Sequence, residues 1–294
     1  MSRGSRLRRE AYLDWNATAP LRPQARAAIT AAIAACGNPS SVHRWGRAAR
    51  RRVEESRKSV ARLVGAAPEN VVFVSGGTEA NHLALLGAGR RRVLVSAVEH
   101  NSVLDAVPDA ERLPVDGDGV VRLDVLKDRL APMLRGGGQE RRRRAGTENV
   151  PGIAGFGGAA RAAETGVYDE VRQLRDALET ELLAAAPDAV VVGAGAPRLP
   201  NTSAIAMPGI PAETQVIALD LEGIMVSAGA ACSSGKVGPS HVLAAMGLAP
   251  EIAAATIRIS LGWDTTAADI ECFVQAWKTL YRRRRGSIEE VRAA

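Results

Sequence analysis

The stretch NVVFVSGGTEANHLALLGAG, residues 70–89, indicates the fold class. A short β-branched run comes first, a glycine turn follows, and an apolar helical pattern completes it. The stretch RRVLVSAVEHNSVLDAV, residues 91–107, repeats the order of strand, polar loop and helix. Two successive strand-to-helix units need crossover connections, which make the strands parallel and place a site at their carboxyl ends. The sequence therefore predicts an α/β protein with a parallel sheet.

The rest of the chain adds flanking helices and a second unit. Residues 21–35 and 44–64 have amphipathic helical patterns, while residues 130–156 show no clear strand or helix before about Ile153. From residue 160 onward a helix, the strands AVVVGA (189–194) and TSAIAMP (202–208), and a helix from Ala212 predict a smaller α+β unit. We therefore predict three parts: an N-terminal segment (1–20), a large domain (21–159), and a C-terminal small domain (160–294).

Composition excludes several classes of protein. The 294 residues include three widely spaced cysteines, Cys36, Cys232 and Cys272, which argue against a disulfide framework and against a four-ligand zinc site, so no metal is predicted. No apolar run is long enough for a signal peptide or a membrane span, so the sequence predicts a cytoplasmic protein with no membrane association. Any cysteine chemistry is then thiol chemistry.

The net charge of +6 comes almost wholly from arginine. The arginine runs at 141–144 and 282–285 have no aromatic residues among them, so they favour a solvated or interface surface over nucleic-acid binding. Lysine is rare, and the chain has four: Lys58, Lys127, Lys236 and Lys278.

Three short motifs carry candidate binding residues. In SGGTEAN (75–81), Gly77 and Thr78 at a helix start could bind a phosphate through free N–H groups, but Thr78 could equally be a helix cap. His100 follows the next predicted strand and could stack on a flat cofactor or carry a proton, although a lone histidine is more often only hydrogen-bonded. Arg258, in a β-like run, could hold a carboxylate in a bidentate pair or form a structural ion pair.

The loop SAGAACSSGK, residues 227–236, sets Cys232 among glycine, alanine and serine. Small neighbours permit an accessible thiol, which favours a nucleophile over a buried small residue. Lys236 is interpreted as a solvated loop charge.

Seven segments together resemble one family. Taken in order, they look like the segments of cysteine desulfurases of the NifS and IscS type, which are pyridoxal-phosphate enzymes with the class V aminotransferase fold. The resemblance runs from Tyr12 to about Trp277. The segments are YLDWNATAP (12–20), GNPSSVH (37–43), SGGTEAN, VEHNSV (98–103), RRAGTENVPGI (143–153), SAGAACSSG and IRISLG (257–262).

The resemblance implies a fold of the aspartate aminotransferase type and a role for each candidate residue. Thr78, with Gly77, would bind the cofactor phosphate, and His100 would stack on the pyridine ring. Thr147 would reach the phosphate of the neighbouring subunit in a homodimer. The implied substrate is L-cysteine, whose carboxylate Arg258 would hold in a pocket that Asn16 also lines.

The resemblance also gives the cysteine loop, residues 227–236, a function. Cys232 would attack the substrate sulfur and leave as a persulfide, so that alanine remains and sulfur passes to an acceptor such as an iron–sulfur scaffold protein.

The chain departs from the family pattern at one place. The family carries its Schiff-base lysine in a segment resembling Ser-x-His-Lys and holds the pyridine nitrogen with an aspartate, and this sequence has neither segment. Residues 124–130 resemble a helix before the central strands, whereas residues 130–140 resemble the segment after the lysine. Relative to the family pattern, about a hundred residues, the size of a small domain, are missing near Leu130 to Met133. The truncated sheet should expose apolar surface and strand edges.

Three interpretations follow from this departure. The chain is a cysteine desulfurase by descent that is inactive or impaired, a non-catalytic partner of an intact relative in a heterodimer, or another class V enzyme such as a selenocysteine lyase. A true deletion and an assembly error leave the same sequence, and sequencing across the codons for Leu130 to Met133 distinguishes them.

Overall fold

The structure is a computed structural model of the chain. The description that follows covers residues 10–35, 37–89, 92–122, 125, 150–163, 166–228 and 240–293.

The helices begin where the sequence supplies starting signals. Pro23 opens the first helix, where its missing N–H has no cost, and His43 caps the second by accepting a hydrogen bond from the N–H of Gly46 at 3.3 Å. Within the described residues, the α-helices are α1 (Pro23–Ile33), α2 (Arg44–Leu63), α3 (Gly77–Gly87), α4 (Asn101–Leu104), α5 (Val150–Arg161), α6 (Val167–Ala185), α7 (Ala212–Asp220), α8 (His241–Ala245), α9 (Pro250–Ala254) and α10 (Ala267–Ala293).

The strands form three separate sheets among the described residues. Two are parallel pairs, β1 with β6 and β2 with β3, and the third is antiparallel, in the order β4-β5-β8-β7. The strands are β1 (Ala11–Tyr12), β2 (Leu94–Ser96), β3 (Glu111–Leu113), β4 (Val190–Val191), β5 (Thr202–Ala206), β6 (Ile224–Met225), β7 (Ser227–Ala228) and β8 (Thr256–Ser260).

Helices α1 and α2 pack against α5 through glycine contacts. A Cβ added at Gly155 would lie 2.6 Å from Cγ1 of Ile29, and one added at Gly157 would lie 2.5 Å from Oγ of Ser56. Only glycine permits this separation of the helices. Among the described residues, the core beside them consists of Val53, Val60, Phe73, Ile153 and Ala160.

A much larger core lies in the C-terminal region. The antiparallel sheet packs against α6, α7 and α10, and fully buried side chains such as Leu178, Ile257 and Phe273 fill the space between them. Ala11 and Leu13, from the N-terminal segment, belong to the same core. Parallel pairing of β1 with β6 holds that segment in place.

Two expectations about the elements are wrong. Val71–Val74, predicted as a strand, pairs with no strand of the described chain, which shows that a β-branched run alone does not determine pairing. The helix expected from residue 160 is two helices, since α5 ends at Arg161 and α6 starts after Gly166. Helix α5 also begins at Val150, slightly before the expected position.

No helix in the described part of the chain has both the length and the apolar composition that a membrane crossing requires.

Candidate active site

A cavity of about 600 Å³ lies where the end of β2 meets the antiparallel sheet. Three of the residues singled out in the sequence, Asn16, His100 and Arg258, lie on its wall. They come from the N-terminal segment, the loop after β2, and β8, which are far apart in sequence. Its volume is that of a small-molecule site.

Arg258 is held by a carboxylate from the N-terminal segment. Its Nη2 donates to Oδ1 of Asp14 at 2.9 Å, and Oδ2 of Asp14 accepts from Oγ of Ser227 at 2.7 Å. Each side chain of the ion pair is 18% exposed. Nε of Arg258 is buried and has no hydrogen-bond partner among the described residues. Arg258 therefore forms the structural ion pair that was one of its two predicted roles. It also lies on the cavity wall, where the other role, binding a ligand carboxylate, would place it.

Asn16 is fixed by a polar cluster on the same wall. Its backbone N–H donates to Oγ of Ser260 at 3.0 Å, and its side-chain Nδ2 donates to Oγ1 of Thr202 at 2.8 Å. Its Oδ1 accepts from Nδ2 of Asn201 at 3.1 Å. These contacts set which way the amide points, because both ends of the side chain are engaged.

His100 lies at the start of α4 and its tautomer is set by local hydrogen bonds. The backbone N–H of Ser102 donates to Nδ1 of His100 at 3.0 Å, so this nitrogen carries no proton in the neutral ring. Oγ of Ser102 lies 2.7 Å from the same nitrogen and accepts from Nδ2 of Asn81 at 2.7 Å. Asn81 belongs to α3, so the network joins the glycine-turn helix to His100.

His241 is a cavity residue that the sequence analysis missed. It is the first residue of α8, lines the same cavity, and its Nε2 lies 2.8 Å from the carbonyl oxygen of Glu99. A carbonyl only accepts, so Nε2 of His241 carries the ring proton. His241 is followed by the apolar residues of a short helix, and this pattern matches no functional motif. No sequence signal therefore identifies His241 as a cavity residue.

Gly77 and Thr78 lie at the N-terminus of α3, and neither is among the described residues that line the cavity. No side chain caps this helix end, so Thr78 is not the cap that the sequence offered as an alternative. A Cβ added at Gly76 or Gly77 would meet no atom within 4 Å, so open space surrounds the turn. Free N–H groups at such a turn suit an anion.

Several predicted site residues cannot be compared with this geometry. Cys232, Thr147, Lys127, Lys236 and the arginine run 141–144 lie outside the described residues.

The described residues fit only part of pyridoxal phosphate. The open turn at Gly77 suits a phosphate, and the imidazole of His100 on the cavity wall suits a ring. No lysine is among the described residues that line the cavity. Of the two described lysines, Lys58 is exposed on α2 and Nζ of Lys278 donates to Glu181 at 2.7 Å. An amine for a covalent link to the cofactor aldehyde is therefore lacking from the described cavity.

Comparison with known proteins identifies the family. The sequence model described as Aminotransferase class-V matches residues 11–135 and 133–273, so its two matched parts meet at residues 133–135. A cysteine desulfurase from Cereibacter sphaeroides is 36% identical over 360 positions, covering 88% of this chain and 92% of the relative. The cysteine desulfurase IscS of Dictyoglomus turgidum is 30% identical, covering 90% of this chain and 92% of the relative.

A solved structure agrees with these relatives. The X-ray structure of a NifS-like protein from Rickettsia africae has a TM-score of 0.82 and 26% identity, covering 93% of this chain and all of that chain. This chain belongs to the class V aminotransferase family, and its fold is that of the pyridoxal-phosphate enzymes of aspartate aminotransferase type. The resemblance to the NifS and IscS type is confirmed.

The alignment also bears on the missing middle. It is 360 positions long but includes only 88% of the 294 residues, so about 100 positions hold no residue of this chain. Together with the meeting point at residues 133–135, this agrees with the predicted loss near Leu130 to Met133.

Proposed function

We propose that this chain is a cysteine desulfurase-like protein that binds L-cysteine in the described cavity and forms no alanine from it as an isolated chain. Asn16 and Arg258 would bind the substrate carboxylate, and His100 would lie beside the substrate or cofactor ring. Cys232 would carry sulfur as a persulfide. Pyridoxal phosphate is the cofactor of the family, and we propose that this chain forms no covalent link to it.

The observation that carries the proposal is the convergence of Asn16, His100 and Arg258 on one cavity. A guanidinium with one edge against Asp14 still presents a positive charge to that cavity, and an amide held by Thr202 and Asn201 is rigid enough to orient a ligand. The relatives named as cysteine desulfurases give the ligand its chemical class.

Absence of turnover follows from the residues that the cavity lacks. The family chemistry needs an amine at bonding distance from the cofactor aldehyde and a carboxylate at the pyridine nitrogen. The described lysines do not reach the cavity, and Lys127 and Lys236 lie in segments that do not resemble the lysine segment of the family. The cofactor phosphate and ring could therefore be held without the group that activates the substrate.

One further observation favours a second candidate, a non-catalytic partner of an intact desulfurase. Helix α3 buries none of its residues, and Leu86 is 59% exposed. An exposed apolar helix face of this kind is typical of an interaction surface, and another subunit would bury it. In that role we propose a dimer in which Thr147 and Cys232 serve the joint site in the cytoplasm. Cys232 would take the outer sulfur of the partner's persulfide, leaving the partner's thiolate, and pass it to a scaffold protein.

Calorimetric titration tests the proposed ligand. L-Cysteine and L-alanine should both bind, since both have the carboxylate, whereas L-cysteine methyl ester should bind at least about tenfold more weakly because a charged hydrogen bond contributes about 1.5–3 kcal/mol. Equal binding of acid and ester would contradict the role of Arg258.

An activity assay separates the two candidates. The isolated chain should release no alanine from L-cysteine with pyridoxal phosphate present. Mixed with an intact desulfurase, it should become labelled with sulfur at Cys232 if it is a partner, and the Cys232→Ser variant should not. Alanine release by the chain itself would overturn the absence of turnover.

A further inference from the structure

We propose that His241 is the base that takes the thiol proton of bound L-cysteine, so that the ligand is held as a thiolate beside an imidazolium. The inference rests on the proposed function, because it takes L-cysteine as the ligand. It assigns a role to a residue outside the cysteine desulfurase motifs quoted above.

The hydrogen bond to Glu99 leaves a lone pair on the other nitrogen of His241. Because Nε2 donates to the Glu99 carbonyl at 2.8 Å, the neutral ring has its proton there and Nδ1 is unprotonated. No described residue hydrogen-bonds to Nδ1, and the half-buried ring lines the cavity. When Nδ1 takes a proton, the bond to Glu99 is kept and grows stronger, because a charged donor then faces the carbonyl.

The other titratable groups of the described cavity wall are less suited to this step. Nδ1 of His100 already accepts the N–H of Ser102 at 3.0 Å, so protonating it would break that bond. Glu99 has a carboxylate, which is intrinsically a much weaker base than an imidazole. Arg258 is already a cation and is paired with Asp14. Among His100, His241, Glu99 and Arg258, the available basic lone pair is therefore that of His241.

The carboxylate and the thiol of one ligand would face two residues that line the same cavity. With its carboxylate at Arg258, L-cysteine extends its sulfur three bonds away from the carboxylate carbon, within a cavity of about 600 Å³ that both Arg258 and His241 line. The step is balanced: the S–H bond breaks, the electron pair stays on sulfur, and the proton forms an N–H bond on Nδ1. Thiolate–imidazolium pairs of this kind are known to lower a cysteine pKa to about 3–4 in favourable sites.

The proposal is tested by the ultraviolet absorbance of a thiolate. L-Cysteine is added to the full chain about two pH units below the ordinary thiol pKa of about 8.5, where free L-cysteine is about 1% thiolate. We expect a difference band of nearly one thiolate per bound ligand, a rise of tens-fold over the free compound. L-Serine, which has no thiol, should give no band. Persistence of the band in the Cys232→Ser variant assigns it to the ligand.

His241→Gln is the matched variant, because its Nε2 can still donate to the Glu99 carbonyl while it offers no basic lone pair. It should bind L-cysteine in the calorimeter but show less than about a tenth of the band. His82→Gln, at a histidine of α3 that is not among the described residues lining the cavity, should keep the band. Binding to the unmodified protein without a thiolate band, or a full band in His241→Gln, overturns the role of His241 and leaves the proposed function intact. No binding of L-cysteine to the unmodified protein overturns both.

Discussion

The C-terminal region and the N-terminal helical region differ sharply in how they are packed. In the first, a four-stranded sheet and three helices bury a core that includes Phe273 and Trp277, each fully buried. In the second, the described residues form the parallel pair β2–β3 and a core of five buried side chains, and α3 buries no residue. The missing family positions near residues 133–135 thus fall, in sequence, between the described segments that form the smaller of the two cores.

The difference separates two parts of the site. Of the proposed substrate groups, Asn16 donates a hydrogen bond to Thr202 of the well-packed sheet, and Arg258 is itself a residue of that sheet, in β8, where it pairs with Asp14. His100 and the Gly77 turn, proposed for the cofactor, belong to the depleted region. Loss of the middle of the chain is thus expected to impair cofactor chemistry far more than substrate binding.

The largest expected effect is on stability. Phe273→Ala in the C-terminal core should destabilise the protein by about 3–5 kcal/mol, because the side chain is fully buried and its cavity cannot collapse easily. Phe73→Ala in the small core should cost about 1–2 kcal/mol less, since its ring neighbour Phe156 is 52% exposed and can move. Urea unfolding measures both, and equal losses would contradict the difference in packing.

Arg258→Gln should weaken L-cysteine binding by about tenfold to a hundredfold, since charged hydrogen bonds contribute about 1.5–3 kcal/mol. The matched control is Arg172→Gln, whose side chain is 54% exposed in α6 and pairs with Asp169 at 3.4 Å. Calorimetry should find the control unchanged. A similar loss of affinity in both variants would show that the change in net charge weakens binding, and not the loss of a contact in the cavity.

Local sequence patterns predicted many helices and strands of these two regions, but not the features that depend on residues far apart in the chain. Helices α1, α2 and α3 and strands β2, β5 and β8 follow from local patterns and are confirmed within a few residues. The strand at Val71–Val74 failed, because pairing depends on distant neighbours that no local pattern reports. His241 was missed for a similar reason: its tautomer depends on the carbonyl of Glu99, 142 positions away. The domain boundaries at residues 20 and 159 stay a prediction.

A smaller effect concerns acid stability of the C-terminal region. Burial opposes ionisation of Glu179, but the two hydrogen bonds from Arg198 and the charges of Arg198 and Arg175 outweigh it and lower the pKa of Glu179 below its usual range. A carboxylate with a lowered folded-state pKa stabilises the protein above its unfolded pKa of about 4.3 and loses that contribution as pH falls through the folded value.

Glu179→Gln tests this contribution. The variant should be less stable at neutral pH by about 1 kcal/mol, between the values for exposed ion pairs and for charged hydrogen bonds, and the gap should close below about pH 4. Urea midpoints across pH measure it. A gap that is constant with pH would show that ionisation of Glu179 is not its source.

The smallest stability effect should come from α3. Leu83→Gln with Leu86→Gln should change the free energy of unfolding by less than about 0.5 kcal/mol per site, because both side chains are substantially exposed and glutamine keeps helix propensity. Light scattering should nonetheless show reduced association if α3 is a subunit contact. Leu183→Gln, 42% exposed in the C-terminal region, should leave association unchanged. Equal association in all three proteins would remove α3 from the interface.

The central claim is that substrate binding survives in this chain while the covalent cofactor link does not. It is tested most directly by incubating the protein with pyridoxal phosphate, reducing it with borohydride, and mapping lysine adducts by mass spectrometry while L-cysteine binding is measured on the same preparation. We predict L-cysteine binding that the carboxylate ester does not reproduce, with no stoichiometric pyridoxyl adduct at Lys58, Lys127, Lys236 or Lys278. A stoichiometric adduct at any of these four lysines, accompanied by alanine release, would contradict the claim.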